Sequence, residues 1–231
     1  MNQRHAGMCG KASITNQVYN GSMRITKFEH ACLSIEKDDQ NLIIDPGDIT
    51  DDFVVPPHVV GIVLTHEHSD HVDPVKIQAI LETNPEATVI SHAGIIGTSA
   101  WHNTNIVQPG DTITVGNFSL SFFGGKHEVI HTTIPVVDNI GVMVDDVLYY
   151  PGDSYALPGR LVEVLAVPTS GPWLKIGDVA DFVKAIHPRI AFSTHDAHSS
   201  VKNTGLVDRL LPGIVADETI RYMRLSAPLE V

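Results

Sequence analysis

The segment Thr65-His66-Glu67-His68-Ser69-Asp70-His71-Val72-Asp73 sets imidazoles at 66, 68 and 71 beside a carboxylate at 70. Neutral imidazoles with a carboxylate and no thiolate are donors that suit zinc, and equally iron, manganese or nickel. The chemistry open to such a set is metal-assisted attack by water, which requires no Ser or Cys nucleophile. Ser69 and Ser154 lie outside any Gly-x-Ser-x-Gly elbow and read as loop hydrogen-bonders.

The run Val59 to Thr65 directly before the cluster is apolar on both faces, as a central buried strand is, and a loop leaving it can fold the donors inward around a cation. Met23 to Phe28, Ala31 to Glu36 and Asn41 to Asp45 read as an opening antiparallel meander, with turns at Asp38-Asp39-Gln40 and Pro46-Gly47. Pro74 to Leu81 reads as a helix capped by Asp73, and Ala87 to Ser91 as a buried strand. Strand groups follow at Thr112 to Gly124, Gly141 to Tyr150 and Val162 to Pro168. A helix spans Ile176 to Ile186 with apolar residues at helical spacing, and strand Ile190 to Thr194 ends at His195. Each half thus runs from strands through helix to strand, which predicts an α/β fold: a four-layer αββα sandwich, two mixed sheets flanked by helices.

The 231 residues are 43% apolar and 18% charged, enough for one domain with a sizeable core and unlike a disordered chain. The balance of 15 Lys+Arg against 27 Asp+Glu gives −12, which disfavours nucleic acid and anionic membranes as partners. No run is long and apolar enough for a span, and Cys9 and Cys32 make no disulfide framework; a cytoplasmic protein acting on a small molecule is expected, with a homo-oligomer open. Residues 1–22 are polar and lack the apolar core of a signal peptide, so they read as a leader or arm ahead of a single domain, 23–231. In His30-Ala31-Cys32, Cys32 reads as a small core residue and His30 as a structural histidine, with a place in the pocket lining as its alternative.

The His-x-His-x-Asp-His loop resembles the signature of the metallo-β-lactamase superfamily. Its further motifs are matched in order by Gly125-Lys126-His127, Tyr150-Pro151-Gly152-Asp153-Ser154 and Ser193-Thr194-His195-Asp196. The resemblance implies one metal site of His66, His68 and His127, a second of Asp70, His71 and His195, and Asp153 bridging the two. Asp45, in Asn41-Leu42-Ile43-Ile44-Asp45-Pro46-Gly47, resembles the family's early aspartate and would accept from a ligand imidazole. His127-Glu128-Val129-Ile130-His131, Asn139-Ile140-Gly141 and Pro172-Trp173-Leu174-Lys175 resemble a branch of small hydrolases related to the L-ascorbate-6-phosphate lactonase-like group. His131 is a candidate partner of a ligand or of substrate and the fallback metal ligand should His127 point away, and Lys175 is a candidate contact for a substrate anion.

Two divalent ions lower the pKa of bound water to about 7, so the expected nucleophile is a hydroxide bridging them, with Asp70 as a proton carrier. The expected enzyme is a dinuclear metal-dependent hydrolase, zinc first, acting on a small anionic ester, lactone or phosphodiester. An iron-dependent oxidoreductase of the same fold, or a metal-stabilised binding protein without turnover, are the alternatives.

Overall fold

Leu42, Ile43 and Ile44 are all fully buried although successive side chains of a strand point to opposite faces. The computed structural model, which describes residues 22–97 and 101–231, shows two separate cores that receive them. Leu42 and Ile44 join a core between two sheets, and Ile43 joins one beneath a helix.

The first sheet has the order β14-β1-β2-β3-β4-β5-β6. Its strands are β1 (Arg24–Lys27), β2 (Leu33–Lys37), β3 (Gln40–Ile44), β4 (Val59–Val63), β5 (Thr88–Ser91), β6 (Thr104–Ile106) and β14 (Leu229–Glu230). The second, ordered β13-β12-β11-β10-β9-β8-β7, holds β7 (Thr112–Val115), β8 (Phe118–Gly124), β9 (Ile140–Val144), β10 (Leu148–Tyr150), β11 (Val164–Pro168), β12 (Ile190–Thr194) and β13 (Arg221–Met223). Both sheets are mixed: β1, β2 and β3 pair antiparallel, while β3, β4, β5 and β6 pair parallel. The last strand returns to the first sheet, pairing Ile25 with Leu229.

Helices α1 (Pro74–Thr83) and α2 (Ala93–Ile96) cover the first sheet, with Ile77 and Ile80 packed on Ile43, Ile62 and Val89. Helices α3 (Ile176–Ile186) and α4 (Val201–Val215) cover the second, where Val179, Val183 and Leu211 join Leu165 and Ala191. The result is the four-layer αββα sandwich expected from the alternation of elements. Asp73 caps α1 by accepting from Val75 N at 2.9 Å.

Helix α4 is not legible in the sequence because Gly205, Pro212 and Gly213 are poor helix formers. What holds it is a buried face of Val207, Leu211 and Val215, one residue per turn. Residues 1–21 of the segment read as a leader lie outside the described residues. No helix among the described residues is long and apolar enough to cross a membrane.

Candidate metal centre

The chain leaves β4 through Leu64 and Thr65 and is caught by Asp45, which follows β3. Thr65 donates its amide to Asp45 Oδ1 at 2.8 Å and its hydroxyl to Asp45 Oδ2 at 2.6 Å. Loop 45–48 lies so close on the next loop that a Cβ at Gly47 would fall 1.8 Å from the Asp70 carbonyl oxygen. That approach is sealed by Asp48 N donating to Ser69 O at 2.8 Å and Asp73 N to Pro46 O at 3.1 Å. His66, His68, Asp70 and His71 are thereby held on one short, pinned segment.

Three later strand ends bring the remaining donors from the second sheet. His127 follows β8, and its amide donates to Val137 O at 3.1 Å. Asp153 follows β10, its amide donating to Asn139 Oδ1 at 3.0 Å. Gly152 before it holds φ +64 where a Cβ would meet that same oxygen at 2.4 Å. His195 ends β12 in a left-handed conformation, φ 55, with its amide donating to His30 O at 2.9 Å.

Hydrogen bonds on the outer nitrogen fix which side of each ring faces the centre. His71 Nδ1 donates to Asp45 Oδ2 at 2.7 Å, His127 Nδ1 to Glu128 O at 2.5 Å and His195 Nδ1 to Ser170 O at 2.6 Å. The single hydroxyl proton of Thr65 goes to Asp45, so at 3.1 Å Thr65 Oγ1 accepts from His66 Nδ1. The Nε2 atoms of these four rings are left with lone pairs. Those of His71, His127 and His195 are buried and have no hydrogen-bond partner. Outer-nitrogen bonds of this kind set the tautomer of metal-binding histidines.

Ligating atoms converge in three overlapping groups, each within 4.8 Å: His66 with His68 and His127; His30 with Asp70, His71 and His195; and His66 with His71 and Asp153. Asp153 is central, 3.3 Å from His127 Nε2, 3.0 Å from His195 Nε2 and 3.4 Å from His71 Nε2. All seven residues expected as ligands meet here.

Electrostatics set these groups against one another. Burial, with the charge of His71 adding to it, holds His66 well below the usual imidazole value, and burial lowers His68 as well. Burial also opposes charge on His71 and His195, but Asp153 outweighs it, raising His71 well above the usual value and His195 to about 9. Burial would raise Asp70, yet the His195 ring 3.3 Å away and the hydrogen bond from His30 hold it low. It would raise Asp153 too, yet the charges of His195 and His71 hold it well below the carboxylate range. One buried carboxylate, Asp153, and one half-buried carboxylate, Asp70, thus call for positive charge at the inward-facing Nε2 atoms, a charge that a proton or a metal ion can supply. That donor set fits divalent metal ions.

Over residues 24–195 the sequence matches the beta-lactamase superfamily domain. The chain belongs to the metallo-β-lactamase superfamily. A relative, Protein Rv0786c of Mycobacterium tuberculosis, is 34% identical over 183 residues, 76% of this chain and 84% of that one. Among solved structures, a Parabacteroides distasonis protein is 20% identical, with 88% of this chain and 93% of that one covered at a TM-score of 0.71. Igni18, a metallo hydrolase of Ignicoccus hospitalis, is 14% identical, with 91% and 98% covered at 0.68. CmlA, a diiron β-hydroxylase of Streptomyces venezuelae, is 12% identical at a TM-score of 0.63; 91% of this chain matches 54% of CmlA, about half its length. At these identities the structures share the superfamily fold alone.

Other residues singled out in the sequence lie around the centre. Ser154 Oγ donates to Pro151 O at 3.2 Å within its own loop. His131 is exposed, pairs with Thr133 Oγ1 at 2.8 Å and stands outside the three ligating groups. Lys175 is exposed at the N-cap of α3 and makes no side-chain cap bond.

Two contributors are not evident from residue spacing. Trp173 Nε1 donates to Asp153 Oδ2 at 3.0 Å, and its ring stacks edge-on to His127 with centroids 5.7 Å apart. His30 is fully buried at 3.1 Å from Asp70 Oδ2, and burial holds its pKa down to about 4. The only sign of either in the sequence is a histidine before a strand and a tryptophan in Pro172-Trp173-Leu174.

Proposed function

We propose that this chain is a dinuclear metal-dependent hydrolase, zinc first, of a small anionic ester, lactone or phosphodiester. The observation that carries the reading is the ring of buried, unpartnered Nε2 atoms of His71, His127 and His195 around Asp153. His66, His68 and His127 would hold one ion, Asp70, His71 and His195 the other, and Asp153 would contact both. Bound there, divalent ions supply Lewis-acid activation of water and of a carbonyl or phosphoryl oxygen.

The chain's own residues do the positioning. Asp45 fixes His71, Ser170 O fixes His195, and Trp173 fixes Asp153. Asp70, with a side chain 22% exposed against 4% for Asp153, is the carboxylate we assign to carrying a proton to solvent. Lys175 stands two residues beyond Trp173 on the segment leading into α3 and is the proposed contact for a substrate anion. The lactonase-like branch gives the first substrates to try, and we place the enzyme in the cytoplasm, acting without nucleic acid.

A second reading, iron-dependent oxidation, draws on the diiron β-hydroxylase CmlA and on a donor set that suits iron as well as zinc. The zinc-loaded chain should hydrolyse a member of a panel of phosphorylated lactones, carboxylate esters and phosphodiesters, and Asp153→Ala should abolish that turnover. Turnover that survives Asp153→Ala, or that needs iron and dioxygen, would overturn the hydrolase reading.

A further inference from the structure

By proximity His30 qualifies as a ligand, since its ring joins the group of Asp70, His71 and His195. Counting hydrogens removes it. A backbone amide can only donate, so Ala197 N, 3.2 Å from His30 Nδ1, makes that nitrogen an acceptor. The one proton of a neutral imidazole is then on Nε2, and a doubly protonated ring is excluded because Nδ1 must keep its lone pair. Nε2 lies 3.1 Å from Asp70 Oδ2, and an ionised carboxylate can only accept. Each end of the ring therefore dictates the same tautomer. A protonated Nε2 has no lone pair to give a metal. The contrast with the neighbouring rings is direct: Nε2 of His71 and of His195 has no hydrogen-bond partner, while both nitrogens of His30 have one.

The residue is also held hard. It is fully buried, its backbone has φ 61, a conformation retained where the surroundings over-determine it, and its carbonyl accepts from His195 N at 2.9 Å. One residue therefore grips Asp70 through its ring and His195 through its backbone, and these two come from opposite halves of the chain. We infer that His30 is a positioning residue, a brace that aims Asp70 and ties it to His195, and not a metal ligand.

The inference rests on the metal reading, and the test separates the two. Full-length wild type, His30→Gln and His30→Ala are titrated with Zn²⁺ against a chelator and with Co²⁺ by absorption, with thermal melts as a control of folding. His30→Ala should lose about 10–100-fold in affinity for one of two ions, the range found when partners of ligands are removed, and should shift the Co²⁺ spectrum. His30→Gln offers an amide donor to Asp70 and an acceptor to Ala197 and should stay close to wild type. Unchanged affinity and spectrum in His30→Ala, or equal damage in His30→Gln, would overturn the inference; should His30→Ala fail to fold, the glutamine variant decides alone. A wild type that binds neither metal fails before any variant is compared, and it overturns the metal reading and the inference together.

Discussion

Asp45 accepts from the Thr65 amide, the Thr65 hydroxyl and the His71 ring while fully buried; its segment before Pro46-Gly47 reads equally as a turn and as the acceptor for a ligand imidazole. Removing its carboxylate strands buried donors at a cost of about 1–3 kcal/mol each. Asp45→Ala should therefore lose about 3 kcal/mol or more in urea unfolding and weaken metal binding about 10–100-fold. A variant of wild-type stability and affinity would show that the His71 ring needs no partner. At this scale the sequence is informative where chemistry is local. His66, His68, Asp70 and His71 share one loop and announce themselves. Trp173 and the carbonyl of Ser170 do not, because their bonds to Asp153 and His195 exist only after distant segments pack.

Strand identities are legible because apolar runs such as Val59 to Val63 and Val164 to Pro168 are buried on both faces, which few other elements demand. Helix α4 is hidden by its glycines and proline, and the two-residue β14 is too short to leave a pattern. Between elements, the pinning of loop 45–48 against loop 68–71 depends on Gly47. Its φ is not unusual, so what requires glycine is the approach of the Asp70 carbonyl. Gly47→Ala should push the loops apart and destabilise the protein by about 1–3 kcal/mol in urea unfolding, the range typical of overpacking. It should also loosen the metal titration, since three donors, His68, Asp70 and His71, ride on the displaced loop. A fully stable variant would mean that the loops are freer than their hydrogen bonds indicate.

Across the whole molecule the centre is a seam. His66, His68, Asp70 and His71 hang from the first sheet, and His127, Asp153 and His195 from the second. The −12 of the chain hides this, because net charge says nothing of where carboxylates and imidazoles gather. The αββα layering could be anticipated from alternation and the signature loop, but not how closely the strand ends converge on Asp153. The most direct test of the central claim is the metal content of the purified, metal-loaded and desalted full-length protein by mass spectrometry. Close to two transition-metal ions per chain are expected. One ion per chain would contradict the two-ion centre, and none would contradict the metal centre itself.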